Sequence, residues 1–320
     1  MGSKPVVLPP KLMPGNRIAL VAPAGPLLEK DDLTRAEILC RALGYDPLLG
    51  KSASARHGYM AGTDEERVVD LNSALADPSI DAVWCIRGGY GSLRLLDRVD
   101  YAAMARRPKA LIGFSDITAL LNAVTHLTGV VTFHGPVARA SMPAFNRWHF
   151  ERVLTGTEPP GRLGRIPQPA DVLVPQTDRI ITLCGGIAEG PLAGGNLTLL
   201  QCLIGTPYFP ELAGAILFLE DVGEDLYRVD RMLAHLRLSG ALRRLSGILV
   251  GRFTGMNRSG GDGALGYDEV LADYFAPLGI PVAYGFPVGH IEAQWTLPLG
   301  VRARLDADAG EVELLEPAVT

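Results

Sequence analysis

The chain has 320 residues, of which 48% are apolar and 20% are charged. This balance excludes an intrinsically disordered, collagen-like or coiled-coil chain, and the length allows about two domains, each with its own core. The 30 basic residues are outnumbered by 35 acidic ones, for a formal net charge of −5, so we expect no nucleic-acid partner. No apolar stretch reaches about 18 residues, so we also expect no membrane-spanning segment.

The start of the chain and the positions of the cysteines bear on the cellular compartment. The first residues, Met1-Gly2-Ser3-Lys4-Pro5, contain no apolar run of the kind that a secretory signal needs. The four cysteines are widely separated and lie in apolar runs, which fits reduced thiols in the core better than disulfides or a metal site. We therefore expect a cytoplasmic protein with no metal.

The first half of the chain alternates short apolar runs with amphipathic stretches, which is typical of a parallel sheet wrapped by helices. Strands are predicted at 17–21, 82–86, 110–113 and 130–133, with a first helix over 31–43. A capping box, Thr63 with Glu66, predicts the start of a second helix. The apolar residues that this helix is expected to bury are Val68, Val69, Leu71 and Leu75. These elements predict a doubly wound α/β domain over residues 1–154.

The second half of the chain has a different pattern. Residues 155–175 are rich in proline and glycine and lose the apolar periodicity, which predicts a linker before a second domain over 176–320. In that domain one helix is expected to begin after Asn196, its N-cap, and another to run over 225–238. Strands are predicted at 215–219, 247–253 and 281–284, a β-hairpin in the tail over 301–315, and a surface loop over 254–266.

One serine lies where a buried strand meets a helix, in the motif Gly113-Phe114-Ser115-Asp116. A serine on such a sharp turn exposes its hydroxyl, and the first free N–H group of the helix points to the same place. The motif is close to the nucleophile elbow Gly-x-Ser-x-Gly, but Ile117 stands where the last glycine would be. The residues alone therefore leave two interpretations, a nucleophile or an N-capping serine.

A glycine-rich loop, Arg87-Gly88-Gly89-Tyr90-Gly91, follows the preceding strand. In an open parallel sheet such loops gather at the carboxyl edge, where ligands bind. Because glycine lets a backbone N–H group approach a ligand closely, this loop could supply a second donor to an oxyanion. Its glycines lack the spacing of a dinucleotide-binding motif, and the sequence contains no P-loop, so we expect no nucleotide cofactor.

A serine nucleophile needs a general base and a carboxylate that orients this base. Among the six histidines, His134 follows a strand on the same sheet edge as Ser115, whereas His290 lies in an irregular segment of the second domain. The pattern does not decide between these two histidines. An apolar strand of the second domain ends in Glu220-Asp221, and either carboxylate could take part in the chemistry.

In order along the chain, these motifs resemble those of bacterial LD-carboxypeptidases, a family of serine peptidases. The resemblance covers nearly the whole chain and includes Gly15-Asn16-Arg17-Ile18, Ala22-Pro23-Ala24, His134-Gly135-Pro136, Gly194-Gly195-Asn196-Leu197, Tyr227-Arg228-Val229-Asp230-Arg231 and Gly289-His290. It implies a triad in which Ser115 is the nucleophile, His290 the base and Glu220 the orienting carboxylate. It also implies an oxyanion hole formed by the backbone N–H groups of Gly89 and Asp116.

The resemblance carries further expectations about fold, substrate and assembly. It implies an α/β protein with a Rossmann-like (flavodoxin-like) parallel-sheet N-terminal domain, a smaller β-rich α+β C-terminal domain, no cofactor, and a homodimer. Family members release the terminal D-alanine from murein tetrapeptides, at the bond after meso-diaminopimelate or lysine, during peptidoglycan recycling in the cytoplasm. Arg87 and Tyr90 are candidates for binding the substrate, whereas Arg228 and Arg231 could equally be structural.

Two other functions compete with this expectation. Some relatives hydrolyse peptidyl-nucleotides of the microcin C type and stack the nucleobase on aromatic side chains of a loop. Here Trp148 and Trp295 are the tryptophans outside a predicted strand, and no inserted stacking loop is evident. The other alternative, a non-catalytic α/β protein that binds a small ligand, usually calls for a secretory signal and two similar lobes, which we do not find. Replacing Ser115 would separate this alternative from an enzyme, because binding would survive the change.

Overall fold

The computed structural model describes residues 4–167, 179–257 and 265–320. In chain order its strands are β1 (Arg17–Val21), β2 (Asp46–Leu49), β3 (Ala82–Cys85), β4 (Ala110–Gly113), β5 (Thr132–His134), β6 (Gly161–Arg162), β7 (Ile181–Cys184), β8 (Ile187–Asn196), β9 (Ile216–Val222), β10 (Gly247–Thr254), β11 (Val282–Tyr284), β12 (Leu297–Leu299), β13 (Arg302–Asp306) and β14 (Glu311–Leu314). Its α-helices are α1 (Asp32–Ala42), α2 (Asp64–Ala76), α3 (Tyr101–Arg106), α4 (Thr118–Thr128), α5 (Ala144–Thr155), α6 (Leu197–Cys202), α7 (Leu226–Leu238) and α8 (Tyr267–Phe275).

The first sheet has the strand order β12-β5-β4-β3-β1-β2. The five strands from the first half of the chain run parallel, and β12 adds an antiparallel edge beside β5. Every residue of β3 and β4 is buried, so both faces of the sheet are covered there. Burial on both faces explains why these strands are continuous apolar runs in the sequence rather than alternating ones. The predicted α/β class with a parallel sheet is confirmed.

The second sheet has the strand order β6-β14-β13-β8-β9-β10-β11-β7. Its centre, from β8 to β11, is parallel, and antiparallel strands extend it on both sides. The predicted hairpin of the tail is confirmed, because β13 and β14 pair antiparallel along four residues of each strand. A second, β-rich layer therefore accompanies the parallel sheet, as expected.

The predicted division into residues 1–154, a linker over 155–175 and a second domain over 176–320 stays a prediction. Two strands pair across the predicted boundaries. β6 lies inside the predicted linker and pairs with β14, and β12 lies in the second part of the chain but pairs with β5 of the first sheet. The two parts of the chain are therefore joined by strand pairing as well as by the connection between them.

Helix α2 begins at the predicted capping box, but one of the residues predicted to be buried on it is exposed. The hydroxyl of Thr63 accepts a hydrogen bond from the Glu66 N–H, and the Glu66 carboxylate accepts one from the Thr63 N–H at 2.7 Å. Of the four residues predicted to be buried, Val69 is 47% exposed. The buried stripe repeats every three to four residues, which places Val69 about 100° away from it. Arg67 occupies that stripe instead, with its side chain completely buried.

Helix α4 and strand β8 hold the two sheets together beside the carboxyl edge of the first sheet. The side-chain amide of Asn122 donates to the Gly194 carbonyl at 2.8 Å, and the Asn196 N–H donates to the Thr118 hydroxyl at 3.0 Å. Gly195 has φ +132°, and a Cβ there would lie 2.6 Å from the Thr118 Oγ1 atom. Only glycine therefore lets β8 approach the first turn of α4 this closely.

The cysteines and the described helices bear on the remaining expectations. All four cysteines are free; Cys40 and Cys85 are buried as predicted, whereas Cys202 is exposed and the prediction of a core thiol was wrong there. Among the described residues no helix is long and apolar enough to cross a membrane, and no cluster of three metal-ligating side chains occurs. Residues 258–264 of the predicted surface loop lie outside the described residues.

Candidate active site

Ser115 lies in a strained turn between β4 and α4. β4 ends at Gly113, Phe114 is extended, and Ser115 has φ +63°, whereas the other described residues with a left-handed φ are glycines. A left-handed serine costs on the order of 1–3 kcal/mol, so the surrounding structure must impose this conformation. The turn places the hydroxyl at the carboxyl edge of the sheet, just before the first turn of α4. This is the geometry of a nucleophile elbow.

Ser115, His290 and Glu220 form a continuous chain of hydrogen bonds. The Nε2 atom of His290 lies 3.0 Å from the Ser115 Oγ, and its Nδ1 atom lies 2.8 Å from the Glu220 Oε2. An ionised carboxylate can only accept a hydrogen bond, so Nδ1 carries the proton and Nε2 accepts from the serine hydroxyl. The arrangement can move the serine proton to the imidazole while the serine attacks a carbonyl group.

Glu220 and His290 come from neighbouring parts of the second sheet. Glu220 lies near the end of β9 and is completely buried, while His290 lies in the turn after β11. Gly289 has φ +117°, and a Cβ there would lie 2.8 Å from the Glu220 Cβ, so this turn needs glycine to rest on Glu220. Burial raises the pKa of Glu220, and the hydrogen bond from His290 opposes that rise.

The structure distinguishes the two carboxylates of Glu220-Asp221, because successive residues of a strand point to opposite faces. Asp221 points away from Ser115, toward the start of α6. Its carboxylate accepts hydrogen bonds from the Asn196 side-chain amide at 3.0 Å and from the N–H and hydroxyl of Thr198, both at 2.9 Å. Asp221 therefore stabilises the start of a helix, and Glu220 is the carboxylate that meets the histidine.

His134, the alternative base, does not reach Ser115. It is completely buried, and neither ring nitrogen has a hydrogen-bond partner among the described residues. Burial lowers the pKa of His134 to about 3, so its imidazole is neutral at physiological pH. The ring of Phe114 packs against both histidines, with centroid distances of 5.9 Å to His134 and 4.9 Å to His290. His134 is thus part of the packing around the site.

The glycine-rich loop lies directly against Ser115. A Cβ on Gly88 would lie 2.8 Å from the Ser115 Cβ and 3.3 Å from the backbone nitrogen of Asp116. Gly89 has φ +112°, and the Gly25 N–H donates to the Gly88 carbonyl at 2.9 Å. The peptide that joins Gly88 to Gly89 is therefore held beside the serine, on the same side as the Asp116 nitrogen. The two backbone groups proposed from the sequence as oxyanion donors belong to adjoining segments.

The substrate-binding candidates lie in different surroundings. Arg87 is half-buried and donates a hydrogen bond to the Pro26 carbonyl. Burial lowers the pKa of Arg87, because its guanidinium is partly removed from water. The loop therefore begins with a partly desolvated cation. Tyr90 is 47% exposed, and its ring packs edge-on against Tyr59 at a centroid distance of 5.3 Å. The loop next to Ser115 therefore has a cation before the glycine pair and an exposed aromatic ring after it.

The two other arginines lie on α7. Arg228 pairs with Glu224 at 3.7 Å and with Asp225 at 3.4 Å, near the start of the helix. Arg228 and Arg231 also place their guanidinium groups 5.8 and 5.6 Å from the centroid of the Tyr227 ring. These contacts are sufficient to explain both cations as part of the surface of α7.

The sequence interpretation missed two side chains that hold the site. The buried guanidinium of Arg67 donates to the Gly91 carbonyl at 2.9 Å, and the Asp116 carboxylate accepts from the Ser92 N–H at 2.8 Å. Arg67 lies four residues before Leu71, on the apolar stripe of α2, and a charged residue at such a position was the available signal. For Asp116 the sequence indicated only the role of its backbone.

Comparison with known protein families shows which family the chain belongs to. Residues 18–135 match the family model described as the LD-carboxypeptidase N-terminal domain, and residues 189–305 match the C-terminal domain of the same family. The chain is 39% identical to a putative carboxypeptidase of Streptomyces coelicolor, over 98% of each chain. It is 37% identical to the murein tetrapeptide carboxypeptidase of Pseudomonas aeruginosa, over 92% of this chain and 94% of that protein.

Solved structures give the same result. The muramoyltetrapeptide carboxypeptidase of Oxalobacter formigenes superposes with a TM-score of 0.79 at 33% identity, covering 93% of this chain and 98% of the other. The protein MccF, in complex with glutamyl sulfamoyl guanosine, superposes with a TM-score of 0.88 at 27% identity, covering 98% and 99%. The chain is a serine carboxypeptidase, and it belongs to the LD-carboxypeptidase family.

Proposed function

We propose that this enzyme hydrolyses the L,D-peptide bond that releases the terminal D-alanine from murein tetrapeptides, with Ser115, His290 and Glu220 as its catalytic triad. The observation that carries the proposal is the chain of two hydrogen bonds, 3.0 and 2.8 Å long, from the serine through the imidazole to a buried carboxylate. Relatives over nearly the full length are named murein tetrapeptide carboxypeptidase and probable murein peptide carboxypeptidase.

In the first half-reaction the Ser115 oxygen attacks the carbonyl carbon of the L-centre that precedes D-alanine. His290 takes the hydroxyl proton at Nε2, and the buried charge of Glu220 stabilises the imidazolium that forms. The carbonyl oxygen becomes an oxyanion, and we assign its stabilisation to the backbone N–H groups of Gly89 and Asp116. Collapse of this intermediate breaks the C–N bond, and His290 gives the proton to the amino group of the departing D-alanine.

In the second half-reaction a water molecule attacks the acyl-enzyme. His290 takes a proton from this water, and Ser115 recovers its proton when the second tetrahedral intermediate collapses. The products are the shortened peptide, with a new carboxylate, and free D-alanine. One general base therefore serves both steps, with Glu220 next to it throughout.

The carboxylate of the terminal D-alanine is what distinguishes a carboxypeptidase substrate from an internal peptide bond. We propose that Arg87 binds this carboxylate, because it is a partly desolvated cation at the beginning of the loop that adjoins Ser115. Desolvation strengthens the attraction between a guanidinium and a carboxylate, and Arg can bind one with two parallel hydrogen bonds. Tyr90, exposed in the same loop, is proposed to contact the peptide.

A microcin-type peptidyl-nucleotide hydrolase is the second candidate, because the structural likeness to MccF is strong. The two tryptophans singled out from the sequence give this candidate little support. Trp295 is buried, and its indole N–H donates to the Gly164 carbonyl at 2.7 Å. Trp148 is 47% exposed, but the guanidinium of Arg152 lies over its ring at 4.5 Å. Neither ring is an unoccupied platform for a base.

The deciding experiment is mass spectrometry of L-Ala-γ-D-Glu-meso-diaminopimelate-D-Ala incubated with the wild type and with Ser115→Ala. We expect the wild type alone to release one D-alanine. An aminoacyl sulfamoyl adenosine, incubated in parallel, tests the alternative. Hydrolysis of the aminoacyl–sulfamate bond, with the tetrapeptide left intact, would refute the murein proposal. D-alanine release by Ser115→Ala would refute the assignment of the nucleophile.

We further propose that the enzyme works as a homodimer in the cytoplasm during peptidoglycan recycling. Family membership is the support for both statements. Sedimentation equilibrium over a range of concentrations measures the molar mass directly, and a mass near the 34.2 kDa of a single chain would refute the dimer. Fractionation of cells with an antibody against this chain tests the compartment.

A further inference from the structure

The glycine-rich loop is held against Ser115 at three places. At its start, the Gly88 carbonyl accepts a hydrogen bond from the Gly25 N–H at 2.9 Å. At its end, the Gly91 carbonyl accepts one from Arg67 at 2.9 Å, and the Ser92 N–H donates to the Asp116 carboxylate at 2.8 Å. The Gly88–Gly89 peptide lies between these anchors, so their geometry determines where its N–H group points.

Arg67 is the anchor from the side of α2. Its guanidinium is completely buried and donates to two loops at once, through the carbonyls of Pro23 and Gly91. The same group pairs with Asp64, which balances its charge. Pro23 belongs to the loop that contains Gly25, so Arg67 connects the two segments that enclose the Gly88–Gly89 peptide. A buried guanidinium used this way acts as a rigid spacer with several donors.

Gly91 leaves room for this guanidinium because it has no side chain. It has φ +128°, and a Cβ at this position would lie 2.7 Å from the Arg67 Nη1 atom. The absence of a side chain thus lets the Arg67 guanidinium lie directly on the backbone of the loop. The contact is specific to a planar, multidentate cation, since Nη1 and Nη2 serve different partners.

Asp116 is the anchor from the side of the nucleophile. Its side chain is buried, its carboxylate accepts from the Ser92 N–H, and its own carbonyl accepts a hydrogen bond from the Ser92 hydroxyl. Burial raises the pKa of Asp116, while the hydrogen bonds from Ser92 and Gly91 and the charge of Arg67 oppose the rise. Because Asp116 directly follows Ser115, the loop is tied to the residue next to the nucleophile.

We propose that Arg67 and Asp116 are positioning residues that fix the Gly88–Gly89 peptide beside Ser115, so that the Gly89 and Asp116 N–H groups converge on one oxyanion. This inference rests on the proposed function, and it deepens it by naming the side chains that build the oxyanion hole. Neither side chain needs to touch the substrate for this role. An error of about 1 Å in the placement of such donors can reduce a rate about 100-fold.

The test measures two rates in three variants, Arg67→Lys, Asp116→Asn and Arg94→Gln. Lysine keeps the charge but has too few donors in a fixed geometry to hold both carbonyls, and asparagine keeps the size but loses the carboxylate. Arg94 is the matched control, because its half-exposed side chain pairs with the same Asp64 at 2.7 Å and makes no hydrogen bond to the loop among the described residues. Only its backbone N–H, which the substitution keeps, donates to the Gly91 carbonyl, at 3.2 Å. Thermal unfolding checks that each variant folds.

The first rate is the phosphorylation of Ser115 by diisopropyl fluorophosphate, in which the serine oxygen displaces fluoride and the phosphoryl oxygen occupies the oxyanion hole in the adduct. The second is kcat for D-alanine release, with KM measured alongside. We expect both rates to fall about 10-fold to 100-fold together in Arg67→Lys and Asp116→Asn, with KM changed less than about threefold, because donors aimed at the oxyanion act mainly in the transition state. Arg94→Gln should match the wild type.

The outcomes separate the two proposals. Unchanged phosphorylation in a folded Arg67→Lys or Asp116→Asn variant, or an equal fall in Arg94→Gln, would overturn the positioning role. A rise in KM at constant kcat would overturn it as well. Wild-type protein that is phosphorylated at Ser115 but leaves the tetrapeptide intact would refute the murein substrate, and the labelling rates would still decide the positioning role. Wild-type protein that is neither labelled at Ser115 nor able to release D-alanine would overturn both.

Discussion

Replacing Glu220 by glutamine removes one charge at the end of the Ser115–His290–Glu220 chain with little change in volume. The carboxylate lies 2.8 Å from the His290 Nδ1 atom and is completely buried. With about 4 Å between the charge centres and an effective dielectric constant of about 20, its attraction for the imidazolium is about 4 kcal/mol. Since the imidazolium exists in the transition state and not in the resting enzyme, kcat is expected to fall about 1,000-fold.

The assay is steady-state D-alanine release, with kcat and KM measured separately. The glutamine side chain can also donate its N–H₂ group to Nδ1, which would place the imidazole proton on Nε2 and remove the acceptor for the serine hydroxyl. Both effects lower kcat and leave KM nearly unchanged. Asp221→Asn is the matched control, because its carboxylate points to α6, so it should lose stability and keep kcat within a few-fold. A Glu220→Gln variant with more than a tenth of the wild-type kcat would refute this reasoning.

Three further predictions concern the loop, the pH dependence of stability and a helix cap. Gly88→Ala should lower kcat about 100-fold, because the new Cβ would lie 2.8 Å from the Ser115 Cβ and displace the loop; near-normal kcat would contradict the close contact. His149 donates to the Phe145 carbonyl and accepts from the Gly164 N–H, and burial lowers its pKa to about 4 from the 6.5 of a free side chain. Below pH 6.5 the unfolded chain binds a proton that the folded chain does not, so the free energy of unfolding should fall by about 2 kcal/mol between pH 7 and 5 on account of this residue. Urea unfolding at both pH values should show a smaller fall in His149→Phe. An equal fall in the variant would count against the assignment. Thr63→Ala should lower the free energy of unfolding by about 1 kcal/mol with kcat unchanged, as measured by urea denaturation, and a change in kcat would show that the start of α2 influences the site.

Local patterns in the sequence predicted much of the fold. Strands β1, β3 and β4, the capping box of α2, the Asn196 cap of α6 and the C-terminal hairpin all depend on residues within a few positions of each other. Strand β8 was missed, because its proline and glycines depress the intrinsic preference for a strand. Its neighbours β9 and β13 provide the hydrogen bonds that hold it in the sheet. Val69 was misplaced because it lies outside the stripe that Val68, Leu71 and Leu75 form at helical spacing.

The sequence by itself determined the Gly113-Phe114-Ser115-Asp116 turn, the glycine-rich loop and the resemblance to a family, because each is written in contiguous residues. Only the tertiary structure brought His290 and Ser115, 175 positions apart, to within 3.0 Å, since this requires the two sheets to be joined through α4 and β8. The residue patterns left Glu220 and Asp221, and His290 and His134, undecided, and the family resemblance favoured Glu220 and His290. The tertiary structure gives the physical reason, as the side on which each side chain emerges depends on what packs around its strand or turn. The same packing brings the side chains of Arg67 and Asp116 to the loop beside Ser115.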